Sequence, residues 1–102
     1  MSDLIIDNNT VLNLNKNILK RYEHNLKDGT MILFDVLTEE IWLGNSSTKE
    51  IIDLIDGKNS IQDIYSQILF NYDEKDFENV IEALNLLIED LFSKNFIEII
   101  SS

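Results

Sequence analysis

The chain has 102 residues, 44% of them apolar, with no cysteine and no proline, and its 19 acidic residues outweigh 8 basic ones for a net charge of −11. This is too apolar for a disordered chain and short enough for a single domain with one modest core. It excludes disulfide and thiolate chemistry and any apolar run near the ~20 residues of a membrane span, and so acidic a surface repels nucleic-acid phosphates and anionic bilayers. The start, MSDLIIDNNT, lacks the basic flank of a signal peptide, so a cytoplasmic location is expected.

Residues 1–15 are rich in asparagine and carry scattered aliphatic residues, among them Val11, Leu12 and Leu14. They are expected to be an N-terminal extension, a strand or loop that docks loosely, with the domain proper at 16–102. Residues 18–26 suggest a strand. Lys27-Asp28-Gly29 follows as a hairpin turn, because Asp-Gly readily supplies positive φ angles. Residues 30–36 (TMILFDV) suggest a second strand. Its unbroken apolar run predicts a central place with burial on both faces. After a turn at Thr38-Glu39, residues 40–43 (EIWL) suggest a short third strand, completing an antiparallel meander.

The second half has helical periodicity. Ser47-Thr48-Lys49-Glu50 fits a capping box at the head of a first helix reaching about Ile55. Asp56-Gly57 is expected to close that helix, glycine taking the left-handed C-terminal position. Ser60, with Asp63 three residues on, opens a second helix whose buried stripe is Ile61, Ile64, Ile68 and Leu69, helped by Tyr65 and Tyr72. Asp73 is expected to cap a third helix that stops at a left-handed Asn95, with residues 96–100 as a last short strand. At 100° per residue, Phe77, Val80, Ile81, Leu84, Leu87, Ile88, Leu91 and Phe92 form the buried stripe of the third helix. Leu86 lies nearly opposite, with Asn79, Ala83 and Asp90 on its flanks.

Catalytic chemistry has little to work with. His24 is the only histidine, there is no Cys/His cluster for zinc, and no acidic run matches a calcium loop. Asp73, Glu74 and Asp76 fit an acidic helix start better than a cation site. No enzyme and no cofactor are expected. Three binding readings remain. A DNA-binding winged helix matches the order of strand, helix, corner and helix. However, residues 73–94 carry seven carboxylates against two lysines, the wrong sign for a recognition helix facing a polyanion. An acyl carrier domain would need a phosphopantetheine serine in an Asp-Ser-Leu setting, which Ser46-Ser47 lacks. A peptide binder would use the edge strand, whose unpaired N–H and C=O groups accept an added strand. Residues 40–43 and the Asn79/Ala83/Leu86/Asp90 face are the parts available for that.

The stretch NSSTKEIIDLIDGKNSIQDIYSQILFNYD, followed by VIEALNLLIEDLFSKNFIEI, resembles the PqqD-like family. These are the precursor-peptide recognition elements of ribosomally made, modified peptides. The resemblance rests on Asn45, Ser46-Ser47, Ile51-Ile52, Asp56-Gly57, Ile61/Ile64/Ile68, then Leu91, Asn95 and Phe96 in order, over residues 16–100. Gly44 stands where the family tends to have a leucine, with Leu43 one residue early, and Ala83 falls where the family often has an acid. A one-residue slip in the edge strand would exchange its two faces.

The resemblance implies a winged helix-turn-helix-like α+β fold, a three-stranded antiparallel meander followed by three helices. It implies binding of a leader peptide as an added strand and its presentation to a modifying enzyme, commonly a radical SAM protein that carries its own cofactor. The contacts implied are Glu40, Ile41, Trp42 and Leu43 on the strand and Asn79, Ala83, Leu86 and Asp90 on the helix. The acidic third helix suggests basic leader residues. Lys16, Lys20, Arg21 and Lys27 are expected to form a separate basic patch for the enzyme or for acidic leader residues. The alternative is a winged-helix adaptor or transcription-associated module whose partner is a folded protein. No nucleic-acid or membrane partner is expected, and the domain is expected to be a monomer or a dimer.

Overall fold

The structure, a computed structural model, describes residues 7–101; expectations for residues 1–6 lie outside the described residues. Ten short elements follow one another: β1 (Val11–Leu14), β2 (Ile18–Glu23), β3 (Thr30–Asp35), β4 (Ile41–Asn45), α1 (Ser46–Leu54), β5 (Asp56–Ser60), α2 (Ile61–Leu69), a single 3-10 turn (Glu74–Asp76), α3 (Phe77–Ser93) and β6 (Ile97–Ser101). The class is α+β, with three helices and two three-stranded antiparallel sheets, ordered β2-β3-β4 and β5-β1-β6. The first sheet is the expected meander. β3 is central, but only one of its faces is fully buried. Met31 and Leu33 point into the core while Ile32 and Phe34 are half-buried. β2 stops at Glu23, not Leu26, because a longer loop is needed before three successive left-handed residues, Lys27 (φ 51), Asp28 (φ 63) and Gly29 (φ 116).

The second sheet was not expected, and it changes the reading of two segments. β1 is its middle strand. It pairs with β5 on one side and with β6 on the other, with Leu12 opposite Ile99 and Leu14 opposite Ile97. Leu12 is 0% exposed, so residues 11–14 are core structure and not a loose extension. Asp56-Gly57 does not close α1. The helix ends at Leu54 with Ile55 as its C-cap, and Asp56 starts β5. The left-handed Gly57 (φ 80) sits inside that strand beside the Asn13 side chain. The Asp56 carboxylate accepts from the N–H groups of Lys58 and Asn59, both at 2.9 Å. Pairing with β1, more than 40 residues earlier in sequence, takes up this backbone in place of a glycine cap.

The helices follow their apolar periodicity. Asn45, not Ser47, caps α1: its extended backbone (φ −84, ψ −178) ends β4, and its side chain accepts from the Ser47 N–H at 3.1 Å. β4 runs directly into α1, so Ser47 is already helical and the expected box with Glu50 does not form. Ser60 caps α2 as expected, and the box is complete: Asp63 N–H donates to Ser60 Oγ at 3.1 Å and Ser60 N–H donates to Asp63 at 2.9 Å. Asp73 precedes the 3-10 turn and makes no side-chain cap. α3 begins at Phe77. Asn95 is left-handed (φ 62) and the final strand forms, as expected. Ile61, Ile64 and Ile68 of α2 and Leu84, Ile88 and Leu91 of α3 are buried with Ile52, Ile55, Leu12 and Phe96 in one core. Tyr72 lies outside it, 47% exposed. Replacing Leu12 by Ala is expected to cost about 2–5 kcal/mol through lost burial and a residual cavity. Leu19→Ala on the exposed sheet face is expected to change stability by under about 0.5 kcal/mol. Urea denaturation of both variants compares the two, and equal losses would contradict the central role of β1.

Candidate functional site

The site begins at the turn before β4. Asp35 is buried at the end of β3, and its Oδ1 accepts from the N–H groups of Leu37 (2.8 Å) and Thr38 (3.2 Å). Glu39 is left-handed (φ 66), its N–H donates to the Asp35 carbonyl at 2.7 Å, and Asp35 N–H donates to the Glu40 carbonyl at 2.9 Å. A turn closed this way sets the hairpin register. Phe34 faces Ile41, Leu33 faces Trp42 and Ile32 faces Leu43. Because Asp35 and Glu40 are a hydrogen-bonded pair, alternation makes Leu33/Trp42 and Met31/Gly44 the next bonded pairs. The N–H and C=O groups of Ile41 and Leu43 therefore point away from β3, at an edge of the sheet that no other described strand pairs with. Glu40 lies in the turn, one residue before the strand.

The same register sorts the side chains. Ile41 and Leu43 are each 62% exposed, and Trp42 is 8% exposed. Trp42 was expected to touch a ligand, but it is an internal strut. Its indole N–H donates to Asp90 Oδ2 at 3.0 Å, joining β4 to α3. Gly44 makes room for the ring: a Cβ there would lie 2.6 Å from the indole and would also strike Thr48 Oγ1. The departure at Gly44 from the leucine of the resembled pattern is thus matched by the tryptophan two residues earlier.

On α3, Asn79, Ala83, Leu86 and Asp90 fall within about 60° of one another at 100° per residue. Asn79, Ala83 and Leu86 are exposed, and Asp90 is half-buried where it meets Trp42. The Trp42–Asp90 bond ties this helix face to β4 at one point. Asn79 and Ala83 also line an open groove of about 350 Å³ that runs between α3 and the head of α1. Ser47, Thr48 and Ile51 form the opposite wall, Val80, Leu84 and Leu87 the apolar floor, and Ile68 and Tyr72 the end. Thr48, next to Gly44, connects this groove to the end of β4. Sequence reasoning missed the α1 wall. Ser47 and Thr48 read as part of a capping box, although their small size is also what leaves the groove open.

Glu50 and Asp76 line the groove, no Lys or Arg does, and neither carboxylate joins an ion pair among the described residues. Lys20 and Arg21, two members of the expected basic patch, do not come together. Lys20 points to the inner face and pairs with Asp53 of α1 at 3.0 Å, while Arg21, its neighbour in sequence, points outward and pairs with Glu23. Successive residues of a strand face opposite ways. His24 is exposed, with its ring edge-on to Tyr22 at 4.8 Å. Among the described residues no group of three or more His, Cys, Asp and Glu side chains is placed to hold a metal ion, and no helix is long and apolar enough to cross a membrane. Comparison with protein-family models, with curated proteins and with solved structures gives no significant match to this chain.

Asp90 is the titratable centre of the junction. The Trp42 indole N–H, and then Lys94, hold its carboxyl below the usual carboxylate range, against a smaller opposing effect of burial. A carboxyl depressed in the folded state stabilises the fold above its unfolded pKa, and that contribution is lost as pH falls through the lowered value. The Asp90 side chain is 43% exposed, so the contribution is under about 1 kcal/mol. Trp42 is the only tryptophan. Its emission is expected to change on acidification below the usual carboxylate range, and Asp90→Asn is expected to remove that transition. An acid titration of fluorescence in both proteins checks this.

Proposed function

We propose that this domain binds the leader segment of a ribosomally made precursor peptide as a strand added to β4, and presents it to a peptide-modifying enzyme such as a radical SAM protein. In this reading the meander and three helices form a winged helix-turn-helix-like frame of the PqqD-like kind that the sequence resembles. The observation that carries the reading is the free edge at Ile41 and Leu43. Two residues with unpaired backbone groups flank Trp42, which is bonded to Asp90 of α3, and Thr48 links the end of the same strand to an apolar groove. An extended segment pairs its backbone with these groups and places alternate side chains towards α3. The Trp42–Asp90 bond holds strand and helix at a fixed separation, so the added strand enters a preformed slot and loses less freedom on binding.

Charge narrows the ligand. With Glu50 and Asp76 lining the groove and a chain charge of −11, a leader with Lys or Arg beside an apolar residue is favoured. The long stem of a basic side chain covers apolar wall while its head reaches a carboxylate. The same charge disfavours duplex DNA.

Titration of isotope-labelled protein with the leader peptide encoded beside it tests the reading. The expected outcome is micromolar or tighter binding, weakened by salt, with larger amide shifts at Ile41 and Leu43 than at Trp42 and Gly44, and with Asn79 and Ala83 also perturbed. Ala83→Arg is expected to weaken binding by about tenfold, or ~1.4 kcal/mol, without lowering Tm. Shifts confined to other faces would sink the proposal.

A further inference from the structure

The outer face of the first sheet carries two cross-strand rows, Leu19–Phe34–Ile41 and Arg21–Ile32–Leu43. Leu19 is 60% exposed and Ile41 and Leu43 are 62% exposed, whereas Ile32 and Phe34 are half-buried. α1 packs against β3 and β4, and the Lys20–Asp53 pair places it on the opposite, inner face. Among the described residues nothing covers the apolar rows, and they run to the sheet edge at the two residues whose backbone groups no described strand pairs. A strand added there extends both rows. Its residues opposite Ile41 and Leu43 point outward, and the residue between them points inward to Trp42 and α3.

We propose that the domain selects its ligand on this outer face as well as in the groove: the bound segment has aliphatic or aromatic side chains at two positions separated by one residue, in register with Ile41 and Leu43. This rests on the strand addition proposed above and specifies which segment is added. Charge complementarity supplies the rest of the pattern, with basic side chains on the inward-facing positions. A single strand is the occupant favoured over a second copy of this chain. Each copy carries a charge of −11, and the five apolar residues of the rows fall well short of the ~20–30 residues a side of a stable dimer interface.

Two synthetic peptides of equal length and charge provide the test, one alternating valine and lysine and the other alternating serine and lysine. Their charge is the same, so they differ in the alternate side chains, and the double variant below separates contact with Ile41 and Leu43 from valine's higher strand propensity. The valine peptide is expected to bind about tenfold more tightly than the serine peptide, with contacts from valine methyl groups to Ile41 and Leu43 in nuclear Overhauser spectra. In the double variant Ile41→Thr/Leu43→Thr, which alters exposed positions and keeps strand-forming residues, that preference is expected to fall to within about twofold. Equal affinity of the two peptides for the wild type, with amide shifts at Ile41 and Leu43, would overturn the outer-face selection while leaving strand addition intact. Absence of shifts at those amides with either peptide would overturn both. Concentration-dependent shifts there without peptide, together with a dimer in sedimentation, would assign the edge to a second copy instead.

Discussion

The register of β4 is the constraint on which the site depends, and the buried Asp35 carboxylate sets it. Two N–H groups of the turn converge on that carboxylate, and Glu39 takes the left-handed conformation that lets the chain return. From there the alternation of a strand decides everything about residues 41–44. Trp42 goes inward and reaches Asp90, Ile41 and Leu43 go outward, and their backbone groups are left at the edge. A slip of one residue would bury two aliphatic side chains and expose the indole, and the strut to α3 would be lost.

The second sheet has a different role. β1 lies between β5 and β6, so one four-residue strand ties together the start of the chain, the link between α1 and α2, and the tail after α3. This explains why so short a corner joins α1 to α2. The corner is a strand held by pairing, and its orientation is set by β1 and not by a flexible loop. Tyr65 of α2 and Asn85 of α3 share a further side-chain hydrogen bond, and Asp53 holds Lys20 of β2 and Lys49 of α1 together. The groove between α1 and α3 is the space these attachments leave, with α1 held between β4 and β5 and α3 running into β6.

Much of the fold was legible because its determinants are local. The Asp-Gly turn, the Ser60 cap with Asp63, the stripes of α2 and α3 and the left-handed Asn95 each depend on residues within one or two turns of one another. The errors share one cause. Asn45 displaced Ser47 as the cap because β4 delivers the chain directly into α1. Asp56-Gly57 became a strand because β1 was available to pair with it. Residues 11–14 were taken for a loose extension because four residues carry no periodicity strong enough to show a central strand. In each case pairing with a partner distant in sequence decided the outcome, over a valid local signal at Ser47 and at Asp56-Gly57, and without one at residues 11–14.

The same division holds for the site. Sequence by itself determined the acidic surface, the helix face bearing Asn79, Ala83, Leu86 and Asp90, and an edge-strand candidate near Trp42, because composition and helical spacing are properties of the chain alone. Tertiary structure decided which side of that strand faces the helix, that Trp42 serves as a strut, that α1 supplies a wall of the groove, and that the basic residues of β2 do not gather into a patch. These are consequences of strand pairing and packing, where a shift of one residue reverses a face, and no window of local sequence contains both partners.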